Sequence, residues 1–274
     1  MAIQQQRLGQ GPFRADQLRD GDRYELSNGH PIYCAPAGPD HAGPNVIGGA
    51  VIDSDPDVAW AGVDAGFSPE PSTLRAPDVC VASPVAEPGG QSVTGPGTRW
   101  LREAPPLALE YASRGQDEAD LRLKIAELLA AGTQIVWVVR LTGVHRVEIH
   151  RPGQPVQMAG PGELLEAPGI LRNPIPCEAL YDREAGHRAT LRNLLQRQGY
   201  DSLDAVRREG REAGREEGRG AGLVEAILTL LADRGLTLEP QDRDRIQGCH
   251  DHDRLRAWLV AAARVASAQE LFGP

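Results

Sequence analysis

"LALEYASRGQDEADLRLKIAELLAAGTQIVWVVR", residues 107–140, decides the fold. It opens on a short apolar run behind Pro105-Pro106 and closes on a second run that is apolar throughout. Between them, Leu121, Ile125, Leu128 and Leu129 recur at helical spacing. Acids fill the first turn of that middle segment and Gly132 ends it, which are helix start and stop signals. The pattern predicts a buried strand over 107–112, a helix within 116–132 and a strand over 134–141.

Reading outward, "HRVEIHRPG" alternates and predicts a strand hairpinned to the preceding one through Thr142-Gly143. "RYEL" and "PIYCA" flank Asn28-Gly29, a strong two-residue turn signal, so a hairpin is predicted there too. "LRAPDVCVAS" predicts a strand near 76–82, and "SPVAEPGGQSVTGPG" a loop. "AGPDHAGPNVIGGAVIDSDPDV" reads as too rich in Gly and Pro for a long helix, with at most a short strand or helical turn near Val46–Ile52. Residues 162–182 read as short β or irregular pieces. Strand, helix, strand and hairpin in this order describe an α/β or α+β core on a mixed central sheet.

After residue 185 the chain changes character. Residues 186–208 read as helical, and "RREGREAGREEGRGAG" carries Gly210, Gly214, Gly218 and Gly222 four apart. That stretch is either a charge-balanced linker or a helix whose small residues permit close packing. Amphipathic helices follow at 221–234, 240–249 and 252–266, and their apolar faces need a small bundle or a second copy. "CHDHD" at 249–253 reads as a helix cap and turn. The expected organisation is a polar lead-in (1–20), an α/β domain (21–185), a charged Gly-spaced helical linker (186–222) and a C-terminal helical region (223–274).

Composition narrows the class. Cys34, Cys80, Cys177 and Cys249 are far apart with no CxxC pair, which fits a reducing compartment and argues against a zinc site. The N-terminus lacks a signal-peptide pattern and no apolar run approaches the ~18 residues of a membrane span, so a cytoplasmic location is expected. The net charge is −9. Residues 1–186 hold 24 acidic and 15 basic side chains, and the remainder 14 of each. A non-specific nucleic-acid binder usually carries a basic excess, so this balance weighs against one.

Three polar residues stand out. Lys124 is the single lysine of the chain; the other basic residues are arginine. Asp78 follows Pro77 at the start of an apolar strand, and Glu110 sits inside the next one. A carboxylate within an apolar strand is expensive unless it is paired or bound to a cation. Two of them on neighbouring strands suit a hard divalent ion such as Mg²⁺, which takes oxygen ligands and keeps waters. A nearby ammonium can orient or deprotonate water and stabilise charge on a phosphate, whereas a guanidinium stays protonated. The plainer alternatives are a turn or cap at Asp78, a solvent-facing edge residue at Glu110, and an i, i+4 pair of Lys124 with Asp120.

"RAPDV" (75–79), "LEYAS" (109–113) and Lys124 on the following helix, in this order, resemble the PD-(D/E)XK restriction-endonuclease-like superfamily. Within it the chain is similar to the Uma-type "putative restriction endonuclease" family over roughly residues 20–182. "YEL-NG" resembles the opening hairpin, "AP-GPDH" places His41 at a family position, and "AGTQIVWVV" resembles the Gly-then-strand segment with Trp137. In the superfamily the lysine usually lies two residues after the acid, here Ala112; the Uma-type variant moves it to the next helix, where Asp120 and Lys124 match. The family has a long helix after its histidine, an acid where Arg140 stands and a tyrosine where Leu128 stands.

The resemblance implies a restriction-endonuclease-like core and a metal-dependent endonuclease. Asp78 and Glu110 would hold Mg²⁺ or Mn²⁺, aided by a backbone carbonyl near Tyr111, and Lys124 would position the attacking water. DNA would be the substrate, and a homodimer would make double-strand cuts. Glu25 is either a third acid near the metal or an ordinary hairpin residue; His41 and Asp120 are supporting candidates. The competing expectation is a non-catalytic assembly or adaptor protein on a nuclease-like core, associating through its C-terminal helices. The acidic balance and the Gly/Pro-rich segment after His41 point that way.

Overall fold

The computed structural model describes residues 11–19, 21–82 and 100–272. The loop expected at 83–97 and the first ten residues of the lead-in lie outside them. The rest of the lead-in is not a polar tail: Phe13, Ala15 and Leu18 are buried with Leu26 and Leu74 in a small apolar cluster.

Strands β1 (Tyr24–Ser27) and β2 (His30–Tyr33) form the hairpin expected at Asn28-Gly29. Both turn residues have positive φ, 47° and 76°, as a type I′ turn requires. Helix α1 (Pro39–Asp53) follows. Then come β3 (Ala61–Val63), β4 (Val79–Val81) and β5 (Leu107–Ala112). Helix α2 (Glu118–Ala131) leads to β6 (Ile135–Arg140), β7 (Arg146–His150) and β8 (Gln157–Ala159). These six strands form one sheet in the order β3-β4-β5-β6-β7-β8. Only β5 and β6 are parallel, joined by α2; the other neighbours are antiparallel. A two-stranded pair of β9 (Leu164–Leu165) and β10 (Ile175–Pro176) precedes α3 (Arg183–Arg197).

Helices cover both faces of this mixed sheet. Leu107, Leu109 and Tyr111 join Trp137 and Val139 on one face, beneath Val51 and Ile52 of α1 and Ala185 and Ala189 of α3. Ala108, Ala112, Cys80, Val136 and Val138 face the other way, toward Leu121, Ile125 and Leu128 of α2. The absence of polar alternation in β5 and β6 reflects this double burial. Strand period 2 also places Glu110 between Ala108 and Ala112, on the α2 side.

Helix α1 overturns the expectation drawn from its glycines and prolines. Pro39 occupies the first turn, where a missing N–H is harmless. Asn45, Gly48, Val51 and Ile52 make its buried face. The ~1 kcal/mol penalty per helical glycine is offset by burying aliphatic side chains worth ~1.5–3 kcal/mol each. Gly48 is required by a close approach: a Cβ there would stand 1.8 Å from Tyr111 Oη. The chain therefore has the long helix at His41 that the family resemblance implied and that its glycines and prolines concealed.

Residues from Ser202 onward form a separate compact unit. The division falls after α3, between Asp201 and Ser202, because α3 packs on α1 in the first unit. The second unit contains α4 (Leu203–Asp233), α5 (Pro240–Gln247) and α6 (His252–Ala262). Its core gathers Ile227, Leu231, Ile246, Leu255 and Trp258. The Gly-spaced stretch is part of α4, one continuous helix, and Asp251 caps α6 through the N–H groups of Asp253 and Arg254. Among the described residues no helix is long and apolar enough to cross a membrane.

Candidate active site

Asp78 lies one residue before β4. Val79 pairs with Leu109, so the register continued by one residue sets Asp78 beside Glu110. Asp78 Oδ2 accepts the backbone N–H of Tyr111 at 2.6 Å, and Oδ1 lies 3.1 Å from His41 Nε2. His41 sits in the first turn of α1, and its hydrogen bond to Asp78 holds its pKa above the usual imidazole value.

Glu110 and Lys124 meet as the strand–helix geometry dictates. Lys124 Nζ donates to Glu110 Oε2 at 3.0 Å and lies 2.9 Å from Oε1. It also donates to the carbonyl of Ala76 at 2.7 Å and pairs with Glu25 Oε1 at 2.9 Å. Glu25, from β1, is 7% exposed and Glu110 6%. The edge-residue reading of Glu110 and the ordinary-hairpin reading of Glu25 are both set aside by this burial. Asp120 does not join them. It is exposed, and only its backbone N–H is engaged, by the N-cap carboxylate of Asp117. The i, i+4 pair with Lys124 is replaced by contacts from three other segments.

Electrostatics follow from burial. Loss of water pushes the Glu110 carboxyl up to about 8, with Asp78 and Glu25 adding to the rise and Lys124 opposing it. Burial alone would lower the Lys124 ammonium, but Glu110, Glu25 and Asp78 outweigh it and hold the lysine above its usual value. Held this way, the ammonium donates hydrogen bonds and positive charge to the carboxylates around it.

Several residues were missed by sequence reasoning. Arg75 is buried, its Nη1 donating to Glu25 Oε2 at 2.9 Å and its Nε to Glu127 Oε2 at 2.5 Å. Glu127 also accepts from Ser27 Oγ at 2.5 Å. An arginine directly before "APD" was the available signal. Asp64 continues β3 beside Asp78, its N–H 3.4 Å from the Asp78 carbonyl, with φ of 52°. Burial, then Asp78, raises its carboxyl pKa. Nothing in the sequence marks it.

Among the described residues no three His, Cys, Asp or Glu side chains converge tightly enough to hold a metal ion alone. The pair Asp78–Glu110 nevertheless fits a divalent cation that keeps waters. Both are oxygen donors, and Glu110 Oε1 is a buried atom with no hydrogen-bond partner, despite its 2.9 Å approach to Lys124.

A mixed six-stranded sheet between helices, with an acid–lysine cluster at its strand ends, defines a nuclease-like fold. The same fold occurs in the crystal structure of a "putative nuclease belonging to DUF820" from Anabaena variabilis, with a TM-score of 0.53 at 19% identity, covering 63% of this chain and 99% of that one. Residues 13–174 match the Uma2 family, described as "putative restriction endonuclease", and the chain belongs to that family. None of the curated proteins compared matches it.

Proposed function

We propose that this protein is a metal-dependent endonuclease that hydrolyses phosphodiester bonds of DNA. The observation that carries this reading is the single lysine, part-buried and hydrogen-bonded to Glu110 on the strand beside Asp78. Asp78 and Glu110 would hold Mg²⁺ or Mn²⁺, which supplies a Lewis acid for the phosphate and lowers the pKa of bound water. His41 and the Tyr111 N–H fix both oxygens of Asp78, so that carboxylate needs little reorganisation. Lys124 orients the attacking water and neutralises charge growing on the phosphate. Two copies acting together would cut both strands; the molar mass in solution of the full chain tests this.

One observation favours the non-catalytic assembly reading. The three N–H donors of Lys124 face three acceptor groups within 3.0 Å, leaving the ammonium saturated. The two readings separate in one experiment. Supercoiled plasmid is incubated with Mg²⁺ or Mn²⁺ and the wild type, Lys124→Ala or Glu110→Ala. The catalytic reading expects nicking or linearisation by the wild type and a loss of at least 100-fold in both variants, the order expected for removing a transition-state donor. Equal cleavage by all three removes the assigned residues. No cleavage of DNA or RNA, together with no Mn²⁺ binding by calorimetry, leaves the assembly reading.

A further inference from the structure

Helix α4 separates its charges. At about 100° per residue, Arg207, Arg208, Arg211, Arg215 and Arg219 fall within an arc of about 120°. Glu209, Glu212, Glu216 and Glu217 occupy the adjoining arc of about 140°, Glu216 lying 4.0 Å from Arg219 at the border, and every one of these nine residues is exposed. Asp204 alone intrudes on the basic arc, where it pairs with Arg207 at 3.2 Å. Four of the arginines form a row one turn apart, spanning about 18 Å at 1.5 Å per residue. The balanced charge of the C-terminal third conceals this segregation.

The helical unit leaves that face open. His252 of α6 contacts the opposite side, 3.0 Å from Glu216, and a Cβ at Gly220 would lie 3.0 Å from its Nε2. Ile227 and Leu231 extend the same covered side into the core. The arginine side is bordered by Gly210, Gly214, Gly218 and Gly222, where a Cβ would meet nothing within 4 Å. It ends where the same stripe turns acidic at Glu225 and Asp233.

We propose that the arginine face of α4 docks on the phosphate backbone of a nucleic acid. Five guanidiniums on one face of a rigid helix match a linear polyanion; the row of about 18 Å spans the rise of about five base pairs. A second copy is a poorer occupant, because the glutamate side that would complement the arginines is partly engaged by His252. A membrane surface is poorer still: between Arg207 and Arg219 the arc holds no apolar side chain, only Leu203 and Leu223 stand at its two ends, and interfacial helices need a continuous apolar face. The inference rests on the nuclease reading only for the identity of the polyanion.

The test measures anisotropy of a labelled mixed-sequence duplex and of a single-stranded RNA with the full chain in EDTA, between 50 and 200 mM salt. R207Q/R211Q/R215Q/R219Q is compared with R243Q/R254Q/R256Q/R264Q, which removes four exposed arginines elsewhere in the same unit. Circular dichroism checks that helix content is kept. The row variant is expected to lose at least tenfold in affinity for one or both probes, and its log–log salt slope should shrink by about 3–4, at roughly 0.9 per phosphate contact. The control should lose less than twofold. Equal losses in both variants, or none in the row variant, overturn the proposal. So does a row variant that loses a dimer by light scattering while nucleic-acid affinity stays unchanged. A wild type that binds through the row yet cuts nothing rejects the nuclease reading and leaves this one standing.

Discussion

Replacing Arg75 by Met tests how the site is held together. The Arg75 side chain is 2% exposed, against 9% for Glu25 and 18% for Glu127. Met fills the aliphatic volume but removes the charge between two carboxylates. Glu25 keeps Lys124 and the Ala76 N–H; Glu127 keeps only Ser27. Removing one partner of a buried ion pair costs about 3–5 kcal/mol, because the other charge is left uncompensated. Against a typical stability of about 5–15 kcal/mol this is large but survivable. The assay is native-state hydrogen exchange of the β5 and β6 amides, which open only with the sheet. Exchange should accelerate by roughly two to four orders of magnitude in Arg75→Met. The triple variant R75M/E25Q/E127Q should recover part of that loss, since it removes the two carboxylates left without Arg75 while Lys124 keeps Glu110 as its ion partner. Wild-type exchange in the single variant, or no recovery in the triple, would refute the reasoning that burial makes these carboxylates depend on Arg75.

Gly48→Ala should destabilise the first unit by about 1–3 kcal/mol through overpacking, because its methyl would collide with Tyr111 Oη. Adding Tyr111→Phe should return part of it in urea unfolding, and a fully additive pair would show that the two residues do not meet. Leu128→Ala, at 0% exposure beneath β6, should cost about 2–5 kcal/mol in the same assay; a loss under 1 kcal/mol would show that α2 does not seal that face. The N–H groups of Asp120 and Ala119 hold the Asp117 carboxyl below the usual range. Its folded pKa is depressed, so its contribution is present above the unfolded value of about 3.9 and fades as pH falls through the folded value. The gap in thermal midpoint between wild type and Asp117→Ala should therefore close on acidification; a gap unchanged in acid would exclude the carboxylate as the cap.

The elements that carry the site were legible because their signals are local. Largely apolar six-residue strands, helical periodicity over 118–131 and the Asn28-Gly29 turn each need only neighbouring residues to specify them. Asp78, Glu110 and Lys124 stood out because each breaks a local pattern: an acid at a strand start, an acid within an apolar strand, a lysine among arginines. Helix α1 was misread because propensity sees its glycines and prolines but not Tyr111, whose hydroxyl occupies the space that a side chain at Gly48 would need. Asp120 was misassigned because an i, i+4 spacing guarantees proximity along a helix, not the absence of better partners.

By itself, the sequence determined most of the strands and helices of the core and marked Asp78, Glu110 and Lys124 as out of pattern, since periodicity and the desolvation cost of a charge depend on residue type and order. Only the tertiary structure decided which charges meet. Glu25, Arg75 and Glu127 come from β1, the approach to β4, and α2, respectively, and no spacing links them until the sheet register and the α2 packing bring them together. The same holds for Lys124: its lone status was visible in the chain, but its three acceptors, from residues 25, 76 and 110, are a property of the fold.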